Sequence, residues 1–350
     1  MMERLAPEQH DTLDEVPEPS ENPLLVGHHA ARDAIAGSYR AGKLPHGLML
    51  VGSRGIGKAT LAFHAALHLL KHPDFMSAPA VMSLPDRASS LFRQVASGAH
   101  PGVLHLTRPL NERTKAFKSA LTVDEIRRIS RFLSMTSHDG SYRVVIVDPA
   151  DDMNANAANA LLKNLEEPPA RTLFVLIVNS PGSLLPTIRS RCQVLRLSPL
   201  DDGELAEALR ATGFEPPNEP DRMRLLAQRA GGSVRQALLL TQYGGLDIAD
   251  SVDSLISRGK IGPPDAHKLA DAVSKRDSTV QFEMFNEHLL DVVSDAAKAA
   301  GQAGDLTRAN RMSGLWQDMR VAINQTQTYN LDRKQHALNM IFRLNDTFRM

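Results

Sequence analysis

The stretch Gly52-Ser53-Arg54-Gly55-Ile56-Gly57-Lys58-Ala59-Thr60 carries the spacing G-x-x-x-x-G-K, and each residue type in it has a chemical use. Glycines let a backbone curl until several N–H groups point into one concavity. A helix N-terminus behind them adds partial positive charge, and a lysine ammonium supplies a mobile counter-charge. That combination receives a phosphate chain. Gly52, Gly55, Gly57 and Lys58 are therefore candidate nucleotide-binding residues, with Thr60 closing the set. The residue after the lysine normally brings the hydroxyl that ligates Mg²⁺, and here it is Ala59. Thr60 does not replace that hydroxyl, because successive helix residues are turned by roughly 100°. The alternative reading is a glycine turn that only caps a helix.

Two further positions belong to the same chemistry. Val144-Val145-Ile146-Val147-Asp148 is an apolar run closed by an acid, the pattern of a buried parallel strand whose terminal carboxylate holds the water shell of Mg²⁺ in a phosphate-loop protein. Hydrolytic relatives of this arrangement place a water-activating glutamate next, whereas this chain has Pro149, with neither an ionisable group nor an N–H. Asn179 follows another apolar run, Leu173 to Val178. At a strand tip its amide senses a γ-phosphate or simply caps the turn before Pro181.

The elements that must position these residues are legible around them. Leu48 to Val51 reads as a strand before the loop and Leu61 to Leu70 as an amphipathic helix after it. Further strands are expected at Val103 to Leu106, Val144 to Asp148, Thr172 to Val178 and Val194 to Leu197, alternating with helices such as Val123 to Leu133 and Asn154 to Glu167, the latter stopped by Pro168-Pro169. Strands alternating with helices around a phosphate loop make a doubly wound parallel α/β sheet. Residues 1–22 hold seven acids against Arg4 and little to bury, which predicts a disordered acidic tail. Residues 23–198 form the α/β domain. From residue 199 only helical patterns occur, with Gly244-Gly245 as a hinge candidate before residues 246–350.

Composition narrows the class. The chain has 350 residues, 42% hydrophobic and 5% aromatic, which suits two or three helix-rich globular domains. Lys+Arg and Asp+Glu are both 40, so no overall basic field exists to hold nucleic acid unaided, which weakens a plain DNA-binding module. A local run, Arg108, Arg113, Lys115, Lys118, Arg127, Arg128 and Arg131, reads either as a solvated surface or as a track along a phosphate backbone. The single cysteine, Cys192, excludes an internal disulfide and a thiolate zinc module and fits a reducing cytoplasm. No apolar run approaches the ~20 residues of a bilayer span, and the acidic N-terminus is unlike a signal peptide. His64, His68 and His72 share a helix face at i, i+4 spacing, but without thiolates no structural zinc is expected.

Four segments carry a resemblance: Asp151-Asp152-Met153-Asn154, Asn159-Ala160-Leu161-Leu162-Lys163, Leu165-Glu166-Glu167-Pro168-Pro169 and Pro186-Thr187-Ile188-Arg189-Ser190-Arg191-Cys192. Together they resemble the AAA+ clamp loader family of bacterial DNA polymerase III, over about residues 23–245. The resemblance implies a small helical lid at residues 199–245 and an all-α collar at 246–350 through which a hetero-pentameric ring assembles. It implies that Arg235, in Gly231-Gly232-Ser233-Val234-Arg235, reaches back to the nucleotide as sensor 2. From the residues alone, Arg235 is one charge opening a helix. It also implies that Arg191 faces the next subunit and completes that neighbour's ATP site. An intramolecular ion pair with Glu166 or Glu167 is the alternative. Family members often carry four cysteines after the phosphate-loop helix, and residues 71–102 contain none.

The expectation is a ring member that holds ATP or ADP without hydrolysing it, with Mg²⁺ weak or absent and no zinc. It would lack ATPase or polymerase activity of its own while belonging to a DNA-directed DNA polymerase assembly. Its implied partners are delta- and gamma/tau-like subunits, the sliding clamp, and primer-template DNA through the complex, with no membrane. The other function considered is a free-standing P-loop ATPase of DNA metabolism.

Overall fold

The computed structural model describes residues 4–111, 113–114, 116–134, 141–257, 262–275 and 278–349. By contacts the chain divides into two compact units, residues 1–236 and 237–350. The sequence places boundaries at 198/199 and 245/246 instead.

In the first unit α1 (His29–Arg40) leads to β1 (Gly47–Val51), α2 (Lys58–Lys71) and α3 (Ser90–Ala96). Next come β2 (Val103–Leu106), α4 (Val123–Ser134), β3 (Arg143–Val147), α5 (Ala155–Glu166), β4 (Thr172–Val178), α6 (Pro186–Arg189) and β5 (Gln193–Arg196). The five strands form one parallel sheet in the order β2-β3-β4-β1-β5. Every residue of β1 and β4 is buried, as covered central strands require, and the unbroken apolar runs in the sequence follow from that burial.

Strand side chains alternate between faces, and the two cores separate by that alternation. Leu48, Leu50, Val144, Ile146, Val175 and Ile177 join Ile35 of α1, Leu61 of α2 and Phe92 of α3. Met49, Val51, Val145, Val147, Phe174 and Leu176 join Ile126 and Ile129 of α4 and Leu161 and Leu165 of α5. The helices end where local chemistry directs. Asn154 caps α5 by accepting the Ala157 N–H at 2.9 Å, and Ser89 caps α3 by accepting from Phe92 at 3.1 Å.

The unit continues through α7 (Asp202–Ala211), α8 (Pro220–Ala230) and the start of α9 (Val234–Gln242). Asp201 and Glu204 form a reciprocal capping box on α7, with contacts of 2.8 and 3.2 Å.

Residues 4–22 are not the disordered tail that their composition predicts. Glu21, only 2% exposed, accepts the backbone N–H groups of Leu5 at 2.8 Å, Ala6 at 3.2 Å and Glu18 at 3.0 Å. Leu13 is buried, Ser20 donates to the Ala96 carbonyl at 3.1 Å, and His64 Nε2 lies 2.9 Å from the Asn22 carbonyl. A composition argument counts acids as solvated. Here backbone amides solvate buried Glu21, so its burial does not carry the usual penalty.

The second unit is helical: α10 (Gly245–Ser257), α11 (Pro263–Val273), α12 (Thr279–Gln302), α13 (Leu306–Tyr329) and α14 (Arg333–Arg349). Its core gathers Val252, Val273, Phe285, Leu289, Val293, Met319 and Ile341. Buried His336 is held neutral between Thr326 Oγ1 at 2.8 Å and Asn286 Oδ1 at 2.9 Å, and burial lowers its pKa to about 4. Gly245, the hinge candidate, is buried at the start of α10.

Candidate nucleotide site

Parallel strands present their carboxyl ends along one edge, and that edge is where doubly wound sheets bind ligands. The glycine loop leaves β1, Asp148 follows β3 and Asn179 follows β4. Because β1 pairs with β4, the loop and Asn179 are neighbours, and the Gly52 N–H donates to the Val178 carbonyl at 3.2 Å.

The loop needs its glycines. Gly55 and Gly57 have φ of 79° and 106°, in the left-handed region that only glycine adopts without strain. A Cβ on Gly55 would also collide with Arg235 and come within 2.6 Å of Ser233 Oγ.

Lys58 is 4% exposed, and its Nζ donates to the Gly52 carbonyl at 2.8 Å, the Ser53 carbonyl at 2.6 Å and Asn179 Oδ1 at 2.8 Å. Burial lowers its pKa to about 8, against the upward pull of Asp148 and Asp151. Asp148 lies 3.6 Å from His105 Nε2. Thr60 is buried in α2. Ala59 brings no hydroxyl for a magnesium ion, so the donors around the loop fit a phosphate group better than a metal.

Arg235 is brought to the loop. Its N–H faces the Gly55 carbonyl at 3.4 Å, while Ser233 Oγ donates to the Arg54 carbonyl at 2.8 Å and accepts the Gln236 N–H at 3.1 Å. Arg191 does not join this cluster. It follows α6 by two residues, pairs with Glu166 at 2.8 Å and donates to the Thr187 carbonyl at 2.9 Å. The ion pair named as the alternative for Arg191 is therefore present in the isolated chain.

Several residues here were given no site role by the sequence. Asp151 accepts the N–H groups of Asn179 at 3.1 Å and Ser180 at 3.0 Å, fixing the tip of β4. His28 Nε2 lies 2.6 Å from the Ile56 carbonyl inside the loop, and burial lowers its pKa despite that bond. Asp11 reaches Arg54 at 3.1 Å, and its backbone carbonyl accepts from Arg235 Nη1. Asp151 opens the segment Asp151-Asp152-Met153-Asn154, but Asp11 offers no signal beyond a few apolar neighbours in an acidic stretch.

The basic run is partly neutralised. Arg108 pairs with Asp152, Arg127 with Asp124 at 3.0 Å and Arg128 with Glu125 at 2.6 Å. Lys115 lies outside the described residues. Among the described residues no group of three or more His, Cys, Asp or Glu is arranged to hold a metal ion, and no helix is long and apolar enough to cross a membrane.

A five-stranded parallel sheet with a phosphate loop after an interior strand, and an arginine returned to that loop, defines a doubly wound P-loop α/β protein. The chain matches the family described as DNA polymerase III, delta subunit over residues 27–201, half of its length, and belongs to that family. It is 38% identical over 200 residues to DNA polymerase III subunit delta' of Pseudomonas aeruginosa, covering 57% of this chain and 56% of the relative. It is 34% identical over 205 residues to subunit delta' of Bacillus subtilis, covering 59% and 56%. Subunit gamma of Buchnera aphidicola is 28% identical over 221 residues, covering 63% and 57%. The chain spans a little over half the length of these relatives.

Proposed function

We propose that this chain is a delta prime-like subunit of a clamp loader, a ring member that receives a nucleotide at residues 52–58 but does not turn it over. The observation that carries this reading is the pairing of a preserved phosphate loop with Ala59 and Pro149 at two positions that hydrolysis uses. Gly52, Gly55, Gly57 and Lys58 receive phosphates, Asn179 and Asp148 flank them, Thr60 supports the loop from within α2, and Arg235 closes over it. Relatives named as subunits of DNA polymerase III support membership of a multi-subunit assembly over a free-standing ATPase. The partners in this reading are delta- and gamma/tau-like subunits in a hetero-pentameric ring, the sliding clamp, and primer-template DNA engaged through the ring, in the cytoplasm.

Arg191 acts in trans in this reading. Hydrolysis spreads negative charge over the γ-phosphoryl oxygens, and a guanidinium pairs with two of them while staying charged. The side chain is 35% exposed and its partner Glu166 is 48% exposed. A pair that open contributes about 0–1 kcal/mol, so releasing Arg191 to a neighbour costs little. Arg191→Ala should leave the chain folded and able to enter the ring, yet lower the DNA- and clamp-stimulated ATPase of the complex. An in-trans arginine accelerates such a step by roughly 10³- to 10⁵-fold per site. Unchanged turnover in a complex shown to contain the variant would remove Arg191 from the mechanism.

A further inference from the structure

The N-terminal segment does more than cover the first unit. Asp11 stands where two guanidinium groups from distant parts of the chain converge, Arg54 from the loop and Arg235 from the start of α9. Its carboxylate lies 3.1 Å from Arg54 and 4.0 Å from Arg235, and its backbone carbonyl also accepts from Arg235. Two cations beside a loop of backbone N–H groups form a place built for an anion.

The anion supplied in this chain is one of its own side chains. Burial alone would raise the Asp11 pKa, but Arg235, His10 and Arg54 together outweigh it and hold the carboxyl at about 2. Asp11 therefore keeps its charge throughout the neutral range.

The segment presenting Asp11 is anchored on both sides. Arg4 donates to the Leu13 carbonyl at 2.9 Å, Glu21 gathers three backbone N–H groups, and Ser20 and Asn22 bond to Ala96 and His64. A group tethered in this way acts at a high effective concentration, of millimolar order even for short flexible tethers. The loop is also closed from within, since Lys58 donates to two carbonyls of its own loop and to Asn179.

We infer that residues 4–22 are an internal ligand of the cleft, with the Asp11 carboxylate occupying a phosphate-receiving position between Arg54 and Arg235, so that nucleoside di- and triphosphates bind only in competition with this strap. The inference rests on the proposed reading of residues 52–58 as a nucleotide site. The strap makes that site conditional: nucleotide enters when the segment lifts, and the segment returns when nucleotide leaves.

The test titrates the full-length chain with fluorescent ADP and ATP and follows hydrogen exchange in the peptides covering residues 4–22. Asp11→Asn removes the charge while keeping the backbone carbonyl. Glu21→Gln loosens the anchor away from the cleft. Both variants should bind nucleotide about tenfold more tightly than the unaltered chain, as loss of a competing charge-assisted contact implies. Saturating nucleotide should speed exchange in residues 4–22 of the unaltered chain. Thermal melting establishes that each variant is folded, and the anchor variant serves if Asp11→Asn is not. Equal affinity in the unaltered chain and a folded variant, with exchange in residues 4–22 unchanged, would overturn the strap while leaving the nucleotide site intact. Binding by none of the three proteins, even where exchange shows the strap loosened, would overturn the nucleotide reading and this inference with it.

Discussion

The loop after β1 and the tip of β3 lie along the same edge of the sheet and differ in what they carry. The loop retains its three glycines, its left-handed turns at Gly55 and Gly57 and its lysine. The β3 tip keeps Asp148 but follows it with Pro149. Receiving a phosphate depends mainly on backbone shape and one cation, which a glycine pattern preserves as a unit. Hydrolysis depends on a hydroxyl and a carboxylate at single positions, and either is lost by one substitution. Binding and turnover are therefore separable in this architecture.

The difference between the two tips breaks most decisively on turnover. The isolated chain should release phosphate from ATP more slowly than an ordinary P-loop ATPase by roughly 10²- to 10⁴-fold, the usual cost of losing one acid–base group, with Ala59 adding to the loss. Steady-state phosphate release measures it. Ordinary turnover would show that Ala59 and Pro149 do not limit hydrolysis.

A smaller effect sharpens the loop side. Lys58→Ala removes an ammonium that makes three hydrogen bonds in this chain. If Lys58 turns to phosphate on binding, nucleotide affinity should fall by about 10- to 100-fold, the range of one or two charged hydrogen bonds. Equilibrium titration is the check, and an unchanged affinity would place the nucleotide elsewhere.

The smallest effect is a pH dependence. Lys58 is lowered to about 8 by burial, so above that pH the free chain holds a neutral amine, and phosphate binding must bring a proton with it. Affinity should be flat from pH 6 to 7.5 and then decline by up to tenfold per unit as pH rises through 8. Stability follows the opposite sign. Between about 8 and the ordinary lysine value of 10.5 the unfolded chain binds more protons than the folded one, so this group's contribution favours folding increasingly as pH rises. Titrations at several pH values, with Lys58→Ala as control, separate this group from the rest of the chain.

The helical unit offers a control of another kind. His336 is buried as His64 is, but both its nitrogens are satisfied by Thr326 and Asn286, whereas His64 Nδ1 is buried without a hydrogen-bond partner among the described residues. The second unit thus uses its buried imidazole to join α12, α13 and α14, while in the first unit His64 helps to anchor the N-terminal segment. Equal spacing of histidines on a helix says nothing about which of these uses applies.

The sequence by itself determined whatever near neighbours decide. The glycine spacing sets the loop's conformation, unbroken apolar runs set the strands, and Asn154, Asp201 and the prolines set helix ends, because each of these is a local backbone preference. Tertiary structure alone decided which distant charges meet. Asp11 lies 43 residues from Arg54 and 224 from Arg235, Asp151 reaches the β4 tip, and Arg191 finds Glu166 at the surface. The acidic segment reads as disordered because composition counts its charges without their partners. Those partners exist only once the sheet has placed β1 beside β4 and the chain has returned Arg235 to the loop, since an ion pair is set by distance in space and not by separation along the chain.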